Sequence, residues 1–388
     1  MLFRRLPAPG PLGWIVAASF LHFASLYFLF APLPLYVLDM GGSKFQVGLI
    51  MGVFSMSSLA VRPLFGAWMD RAGRKPFLLA GAGIYVLASL GYLAIGSVPR
   101  LLLWRVFHAM GLATFSTAAA SLAGDLAPPQ RRGETMGIYG LAQAGALSLG
   151  PAAGAAILRA LGYRGLFICT AWTALLALGC ASAVREPPPA GNPGRGPAKK
   201  ARGGPALRPV ILPAALQFSA SIAYGALISF IAVVARDRGL DVVGTYFALL
   251  AASSLGVRLV AGRAYDAWGP PAVLTPALLL LATGMGLLAN AAGAGLFVGT
   301  AILAGTGIGA TQTALLARVV ERSPSEARGR AVALFTSCWE LGVGGGTMVM
   351  GRLAEGLGFS GMFAAAAVMP LVGLAALLFL HEGRLERS

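Results

Sequence analysis

Charged side chains are scarce in this chain, and acidic ones are the scarcest. Only 11% of the 388 residues are charged and 14 are Asp or Glu, whereas 57% are hydrophobic. The mean hydropathy is +0.76. Soluble globular domains have roughly a quarter of their residues charged. The composition therefore excludes a soluble globular protein and indicates an integral membrane protein.

Several kinds of functional site are also missing. The three cysteines, Cys169, Cys180 and Cys338, lie inside apolar segments without paired spacing, which argues against a disulfide framework and against a metal site. The sequence has no glycine-rich phosphate-binding loop, so we expect no ATP-driven step and no cofactor. It has no nucleophile, base and orienting acid at a catalytic spacing, so we expect no enzyme.

The net charge of +16 sits in short loops between apolar runs. Nucleic-acid binding requires basic residues gathered on one polar face, so nucleic acid is not an expected partner. On the side of the chain that holds both termini, the loops are much richer in Lys and Arg. The positive-inside rule then predicts that both termini are cytoplasmic. We expect a monomeric, multi-pass protein of the bacterial cytoplasmic (inner) membrane.

Apolar runs long enough to cross a bilayer recur along the chain. A helix needs about 20 apolar residues to cross a hydrocarbon core of about 30 Å, and twelve segments qualify. They are 12–38, 45–69, 75–97, 101–122, 135–158, 165–183, 210–234, 242–260, 272–292, 296–317, 331–350 and 362–380. The sequence therefore predicts an all-α integral membrane fold with twelve transmembrane helices.

The second half of the chain repeats the first half at an offset of 196 positions. Ser57 to Gly73 is matched by Ser253 to Gly269, and the register continues to Gly162 and Gly358. A fixed register over a hundred residues indicates a duplication. With six spans in each copy, both copies have the same orientation in the membrane.

The duplication predicts two pseudo-symmetric six-helix bundles, at 1–184 and 209–388, with a linker at 185–208. The linker is rich in Pro, Gly and basic residues and cannot build a core. We expect it to be a solvated cytoplasmic tether. Basic residues beside the inner leaflet gain about 1 kcal/mol each from anionic lipids, so anionic lipids are an expected partner.

Residues 66–75, which we call the signature loop, form a charged turn between two apolar spans. Its pattern, Gly66-x-x-x-Asp70-Arg71-x-Gly73-Arg74-Lys75, resembles the signature of the major facilitator superfamily between spans two and three, with every position filled. Glycines permit a sharp turn, and Asp70 can pair with an arginine or cap a helix N-terminus. The resemblance implies that such contacts hold the inner ends of the bundles together and release during transport. The alternative is that these cations only set the topology.

Two further motifs resemble the same family. In span five, Gly145-x-x-x-x-Gly150-Pro151-x-x-Gly154 is similar to the motif of proton-coupled antiporters of the drug-efflux branches, although Gly145 lies one position early and Ala155 replaces the last glycine. In span four, Arg105 is similar to the intramembrane arginine of the family. The Gly-Pro pair can serve as a conformational hinge or as a static packing kink. The predicted gating residues are Gly66, Asp70, Arg71, Gly73, Arg74, Lys75, Gly150, Pro151, Gly154 and Asp266.

Ionisable residues inside spans are costly and therefore point to function. Glu340 is the only acid near mid-bilayer, and a carboxylate there can alternate between charged and neutral forms. We predict that Glu340 couples transport to protons, together with His22 and Arg105; a permanent ion pair is the alternative for Glu340. The predicted substrate-cavity residues are polar or amphipathic and lie within spans: Tyr27, Arg62, His108, Gln143, Gln217, Tyr224, Arg258, Gln312 and Trp339.

The sequence therefore predicts a secondary-active transporter that exports a small organic solute in exchange for protons by a rocker-switch movement of its two halves. Two alternatives stay open. Three intramembrane arginines against one glutamate allow an importer or uniporter of a small anionic or sugar-like solute. A receptor that resembles a transporter but no longer transports is the other alternative.

Overall fold

A computed structural model of the chain describes residues 10–127, 132–186, 208–324 and 327–385. It omits the side chains of some helical residues, including Asp70 and Arg71. The described regular structure is helical throughout, with a short 3-10 turn at Tyr92–Ala94. The helices are α1 (Pro11–Tyr27), α2 (Pro32–Asp39), α3 (Lys44–Ala72), α4 (Lys75–Gly91), α5 (Val98–Leu126), α6 (Arg132–Ala183), α7 (Arg208–Asp237), α8 (Val243–Asn290), α9 (Ala294–Arg322) and α10 (Arg328–Leu385).

Within the described ranges, nine helical segments are long and apolar enough to cross a membrane. Three of them, in α6, α8 and α10, contain 48 to 50 residues, about twice what one crossing needs. Each is interrupted by a single glycine with non-helical backbone angles: Gly162, Gly269 and Gly358. Each of the three therefore provides two passes, which is consistent with the twelve predicted spans.

The backbone itself shows the duplication. Gly73 has a φ of 86° and Gly269, its equivalent in the repeat, has a φ of 78°. Gly162 and Gly358 form a second pair, with φ of 66° and 70°. Such angles strain any residue with a Cβ, so the glycines repeated in the sequence are the ones that make equivalent turns.

The first predicted span is not one continuous helix. α1 ends at Tyr27, and residues 28–31 form turns before α2 begins at Pro32. Proline disfavours helical angles at the residue before it and donates no N–H of its own. Pro32 therefore suits the start of a new helix better than the middle of a long one.

The chain divides into two compact units. Unit 1 contains Met1–Pro32 and Ser57–Gly194, and unit 2 contains Leu33–Met56 and Arg195–Ser388. The boundary falls inside α3, because the first turns of α3 pack against helices of the second half of the chain. The two symmetric bundles at 1–184 and 209–388 remain a prediction from the repeat.

Small residues allow the helices within each unit to pack closely. A Cβ at Gly111 of α5 would lie 2.8 Å from the ring of Tyr85, and a Cβ at Gly307 of α9 would lie 2.7 Å from the backbone oxygen of Ala277. Large apolar side chains such as Leu259 and Phe379 are 75% exposed. Close packing at small residues and an apolar outer surface are the pattern of helices that meet lipid.

Candidate functional site

The signature loop is a tight turn that a carboxylate holds in place. Gly73 adopts its left-handed conformation between α3 and α4. The side chain of Glu186, which follows α6, accepts hydrogen bonds from the backbone N–H of Arg74 at 2.8 Å and of Lys75 at 3.1 Å. These are N–H groups at the start of α4 that no turn of the helix can satisfy. Glu186 therefore caps α4, and its charge complements the positive end of the helix dipole.

A second contact ties this loop to the end of α5. The Nε atom of Arg74 lies 3.3 Å from Oδ2 of Asp125, and both side chains are about one quarter exposed, at 26% and 27%. Asp70 and Arg71 belong to the last turn of α3, but their side chains lie outside the described residues. The gating roles predicted for these two residues stay predictions.

The second copy of the loop keeps the turn but loses these contacts. Pro270 and Pro271 replace Arg74 and Lys75, so this turn has neither a cation nor the two N–H donors. Glu321, the equivalent of Asp125, instead accepts a hydrogen bond of 2.5 Å from the hydroxyl of Tyr265. Asp266 is exposed. The second copy therefore lacks equivalents of the hydrogen bonds from Arg74 and Lys75 to Glu186 and of the Arg74–Asp125 ion pair.

Two helices of unit 2 meet along a line of glycines, which we call the glycine seam: Gly48 and Gly52 of α3, and Gly344 and Gly351 of α10. A Cβ at Gly48 would lie 2.5 Å from the backbone oxygen of Thr347, and one at Gly52 would overlap the backbone oxygen of Gly344. The backbones of α3 and α10 therefore touch directly. The Gly-x-x-x-Gly spacing of Gly48 and Gly52 is a sequence signal for such packing, which the sequence reasoning missed.

Two polar contacts join other segments of unit 2. The Nη1 atom of Arg236 lies 2.5 Å from Oδ1 of Asp39. Glu355 of α10 accepts a hydrogen bond of 2.8 Å from the backbone N–H of Phe45, at the start of α3. Exposed ion pairs contribute about 0–1 kcal/mol each, so the Arg236–Asp39 pair adds little stability, whereas Glu355 joins α10 to the start of α3.

Three of the predicted ionisable residues lie in the buried interior of unit 1. The His22 ring stacks on Phe115 and on Tyr85, with 3.8 Å between ring centroids in both cases. His108 Nδ1 lies 2.8 Å from the hydroxyl of Tyr92. Arg105 donates to the same hydroxyl at 3.4 Å.

This histidine and arginine cluster is closed to solvent in the structure. His22 and His108 are 0% exposed and Arg105 is 1% exposed. The sequence singled out the three polar residues but not the aromatic rings that enclose them. The proton-coupling roles of His22 and Arg105, and the cavity role of His108, remain predictions.

Four predicted cavity residues come together in unit 2, from four different helices. Arg258 of α8 donates a short hydrogen bond to Oε1 of Gln312 in α9. The ring of Tyr224 in α7 lies 5.0 Å from the ring of Trp339 in α10, and Tyr224 is within electrostatic range of Arg258. Glu340 follows Trp339 in the chain and is partly buried.

An open cavity of about 970 Å³ reaches two residues of this group, Arg258 and Gln312. Arg258 and Gln312 line one part of it, whereas Tyr265, Asp266 and Glu321 line another. Its remaining walls are largely apolar and include Leu316, Val320 and Phe335. This volume and mixed lining suit a small organic solute.

The other predicted residues are more dispersed. Tyr27 is partly buried, with its ring 4.9 Å from that of Phe30. Arg62 and Gln143 are also partly buried, and Gln217 is 1% exposed. Gly150 and Gly154 of α6 face α1: a Cβ at Gly150 would overlap Tyr27, and a Cβ at Gly154 would overlap the backbone oxygen of Phe28. Gly66 has open space around it.

We expect Gly154→Val to destabilise unit 1, because its Cβ has no room beside Phe28. Overpacking of this kind costs about 1–3 kcal/mol. The measurement is the thermal unfolding midpoint of the purified protein. Gly140→Val on the same helix is the matched control, since a Cβ at Gly140 meets nothing within 4 Å. Equal midpoints for the two variants would contradict this packing.

Comparisons with known proteins agree with the geometry. An uncharacterised MFS-type transporter of Salmonella typhimurium, STM4428, is 27% identical over 377 residues, 93% of this chain and 94% of the relative. The quinolone resistance protein NorA of Staphylococcus aureus is 23% identical over 135 residues, 35% of each chain. A bacterial homologue of the human lysosomal transporter Spinster, solved in an inward-facing and occupied conformation, superimposes with a TM-score of 0.81 at 18% identity and covers 96% of both chains.

The family model of the Major Facilitator Superfamily matches residues 15–319 and 214–388, which together span nearly the whole chain. The fold, the signature loop and the relatives agree with this match. The chain belongs to the major facilitator superfamily of transporters.

Proposed function

We propose that this protein exports a small organic solute in exchange for protons. Membership of a transporter family supports movement of a small molecule across the membrane. The similarity to NorA over part of the chain supports export. The observation that carries the proton part is Glu340. In the sequence it is the only acid near the middle of a predicted span, and it follows Trp339, whose ring lies 5.0 Å from that of Tyr224.

Alternating access requires contacts that close one side of the protein while contacts on the other side open. Two sets of contacts support a proposal for how this happens. The glycine seam involves the first turns of α3, and the signature loop follows its last turn. We propose that the seam closes the outer side and that the signature loop belongs to the inner closure.

We also propose an orientation in the membrane and a lipid partner for this protein. The excess of Lys and Arg in one set of loops supports a cytoplasmic location for both termini and for the linker. Anionic lipids of the inner leaflet are the proposed partner of the basic linker. We further propose that the protein lies in the cytoplasmic membrane of a bacterium and is a monomer.

Glu340→Gln tests the proton part. Solutes are first found by the hypersensitivity of a gene-deletion strain to drugs, sugars and organic acids. Purified protein is then placed in liposomes that contain a pH-sensitive dye. We expect the wild-type protein to move protons when a carried solute is added, and Glu340→Gln to exchange solute without moving protons, because glutamine cannot release a proton.

Asp237→Asn is the matched control, since Asp237 is an exposed carboxylate at the end of α7. It should behave like the wild-type protein. Solute-driven proton movement with unchanged pH dependence in Glu340→Gln would overturn the coupling assignment. Thermal unfolding of each variant shows that the comparison is made between folded proteins.

A second candidate function is import or facilitated diffusion of an anionic solute. Arg258, whose guanidinium lines the cavity, favours it. Net solute flux down its own gradient, with no accompanying proton movement in the wild-type protein, would support this function over proton-coupled export.

A further inference from the structure

The two ends of the cavity between α8 and α9 are lined by groups of different charge. Arg258 and Asp266 are two turns apart on α8, a separation of about 12 Å at 1.5 Å per residue. Gln312 and Glu321 are nine positions apart on α9, a separation of about 13 Å by the same rise. The guanidinium and the amide therefore line one end of the cavity, and the two carboxylates line the other end.

Arg258 lacks a carboxylate partner within the described ranges of the chain. Its Nη2 atom donates to Gln312, and its Nε atom is buried without a hydrogen-bond partner among the described atoms. A charged group with an unused donor inside a membrane protein is costly. An anionic group of a bound solute would supply both the missing charge and the missing acceptor.

The two carboxylates at the opposite end restrict what else the solute can carry. Glu321 already accepts the hydroxyl of Tyr265, and Asp266 is exposed. Arg318, which also interacts with Tyr265, supplies one positive charge beside two negative ones. A second negative charge on the solute would therefore meet a net negative charge at that end and be repelled. Between the two ends, Leu316, Val320 and Phe335 offer apolar contact.

We propose that this cavity binds an elongated organic monoanion, with its acidic group on Arg258 and Gln312 and its apolar body along Leu316, Val320 and Phe335. The proposal deepens the proposed function and rests on it in one respect only, namely that this cavity holds the transported solute. It predicts a preference for one negative charge at one end of an apolar body about 12 Å long, the cavity length that follows from the helix rise.

Binding at equilibrium tests the proposal without any proton gradient. The full-length protein in lipid nanodiscs is titrated with phenylhexanoate, with its neutral analogue phenylhexanol, with its cationic analogue phenylhexylammonium and with the dianion decanedioate. Empty nanodiscs correct for partition into lipid. A charge-assisted hydrogen bond is worth roughly tenfold or more in affinity. We therefore expect phenylhexanoate to bind about tenfold more tightly than each of the other three.

Three variants locate the site. Arg258→Gln should reduce phenylhexanoate affinity about tenfold, to the level of phenylhexanol. Gln312→Glu, which neutralises Arg258 with little change in size, should also remove the preference for the anion. Arg263→Gln is the matched control, because Arg263 is an exposed arginine on the same helix. It should bind phenylhexanoate like the wild-type protein.

The outcomes separate this inference from the proposed function. Equal affinities for phenylhexanoate and phenylhexanol, or an unchanged preference in Gln312→Glu, would overturn the monoanion site. If Arg258→Gln does not fold, the affinities measured with Gln312→Glu still test the monoanion site. A preference for phenylhexanoate that persists in Glu340→Gln, together with unchanged proton movement in that variant, would support the site and reject the proton coupling.

Discussion

Gly52→Val is expected to lower the transport rate about tenfold, because overpacking costs about 1–3 kcal/mol and about 1.4 kcal/mol corresponds to a factor of ten in rate. A Cβ at Gly52 would overlap the backbone oxygen of Gly344. The valine keeps α3 and α10 apart, so the glycine seam cannot close. If closure of the seam belongs to the transport cycle, the cycle stops before completion. The measurement is counterflow in proteoliposomes of a solute that the wild-type protein carries.

Position 345 provides the control for this experiment. Gly344 lies in the seam, where a Cβ would be 3.0 Å from that of Ser55, whereas a Cβ at the adjacent Gly345 meets nothing within 4 Å. We expect Gly344→Val to impair transport and Gly345→Val to leave it near the wild-type rate. Thermal unfolding separates loss of closure from loss of folding. A folded Gly52→Val protein with the wild-type rate would show that the seam is not a moving contact.

Glu186→Ala is expected to have the second largest effect. It removes both hydrogen bonds to the start of α4 and the negative charge beside the helix dipole. Loss of a helix cap costs about 0.5–2 kcal/mol, so we expect a lower unfolding midpoint. We also expect a fall of several-fold in transport, since Gly73 and Arg74 lose their support. Both are measured on the purified protein, the second by the same counterflow assay.

Charge and hydrogen bonding can be separated at this position. Glu186→Gln keeps an acceptor but loses the charge, and it should lie between the wild-type protein and Glu186→Ala. Arg185→Ala is the control, because its exposed side chain precedes the cap in the chain. Equal behaviour of Glu186→Ala and Arg185→Ala would mean that the cap does not stabilise the loop.

The hydropathy and the repeat in the sequence were enough for the fold class, and the signature loop was enough for the family resemblance. A bilayer imposes apolar runs of about 20 residues, and that constraint is local, so it is visible in the chain. Positions such as Gly73 and Gly269 were also predictable, because a turn with positive φ needs a glycine wherever the rest of the fold places it. The glycine and the charged residues of the signature loop likewise made its position visible in the sequence.

The tertiary structure decided which polar residues meet. Within spans that are apolar on every side, periodicity does not show which face of a helix is turned inward. The sequence therefore selected Tyr224, Arg258, Gln312 and Trp339 singly, and only the packing of four helices brings them together. The same packing encloses His22 between aromatic rings that carried no sequence signal.

Contacts between distant segments were the least predictable. Glu186 reads as the start of a linker, yet it caps α4, because the end of α6 lies beside the start of α4 in the folded unit. Gly48 and Gly344 are almost 300 positions apart in the chain. The sequence by itself determined the spans, the repeat and the turns, since each depends on local chemistry and on the membrane. The caps, the glycine seam and the cavity depend on which helix faces meet, and only the tertiary structure decided that.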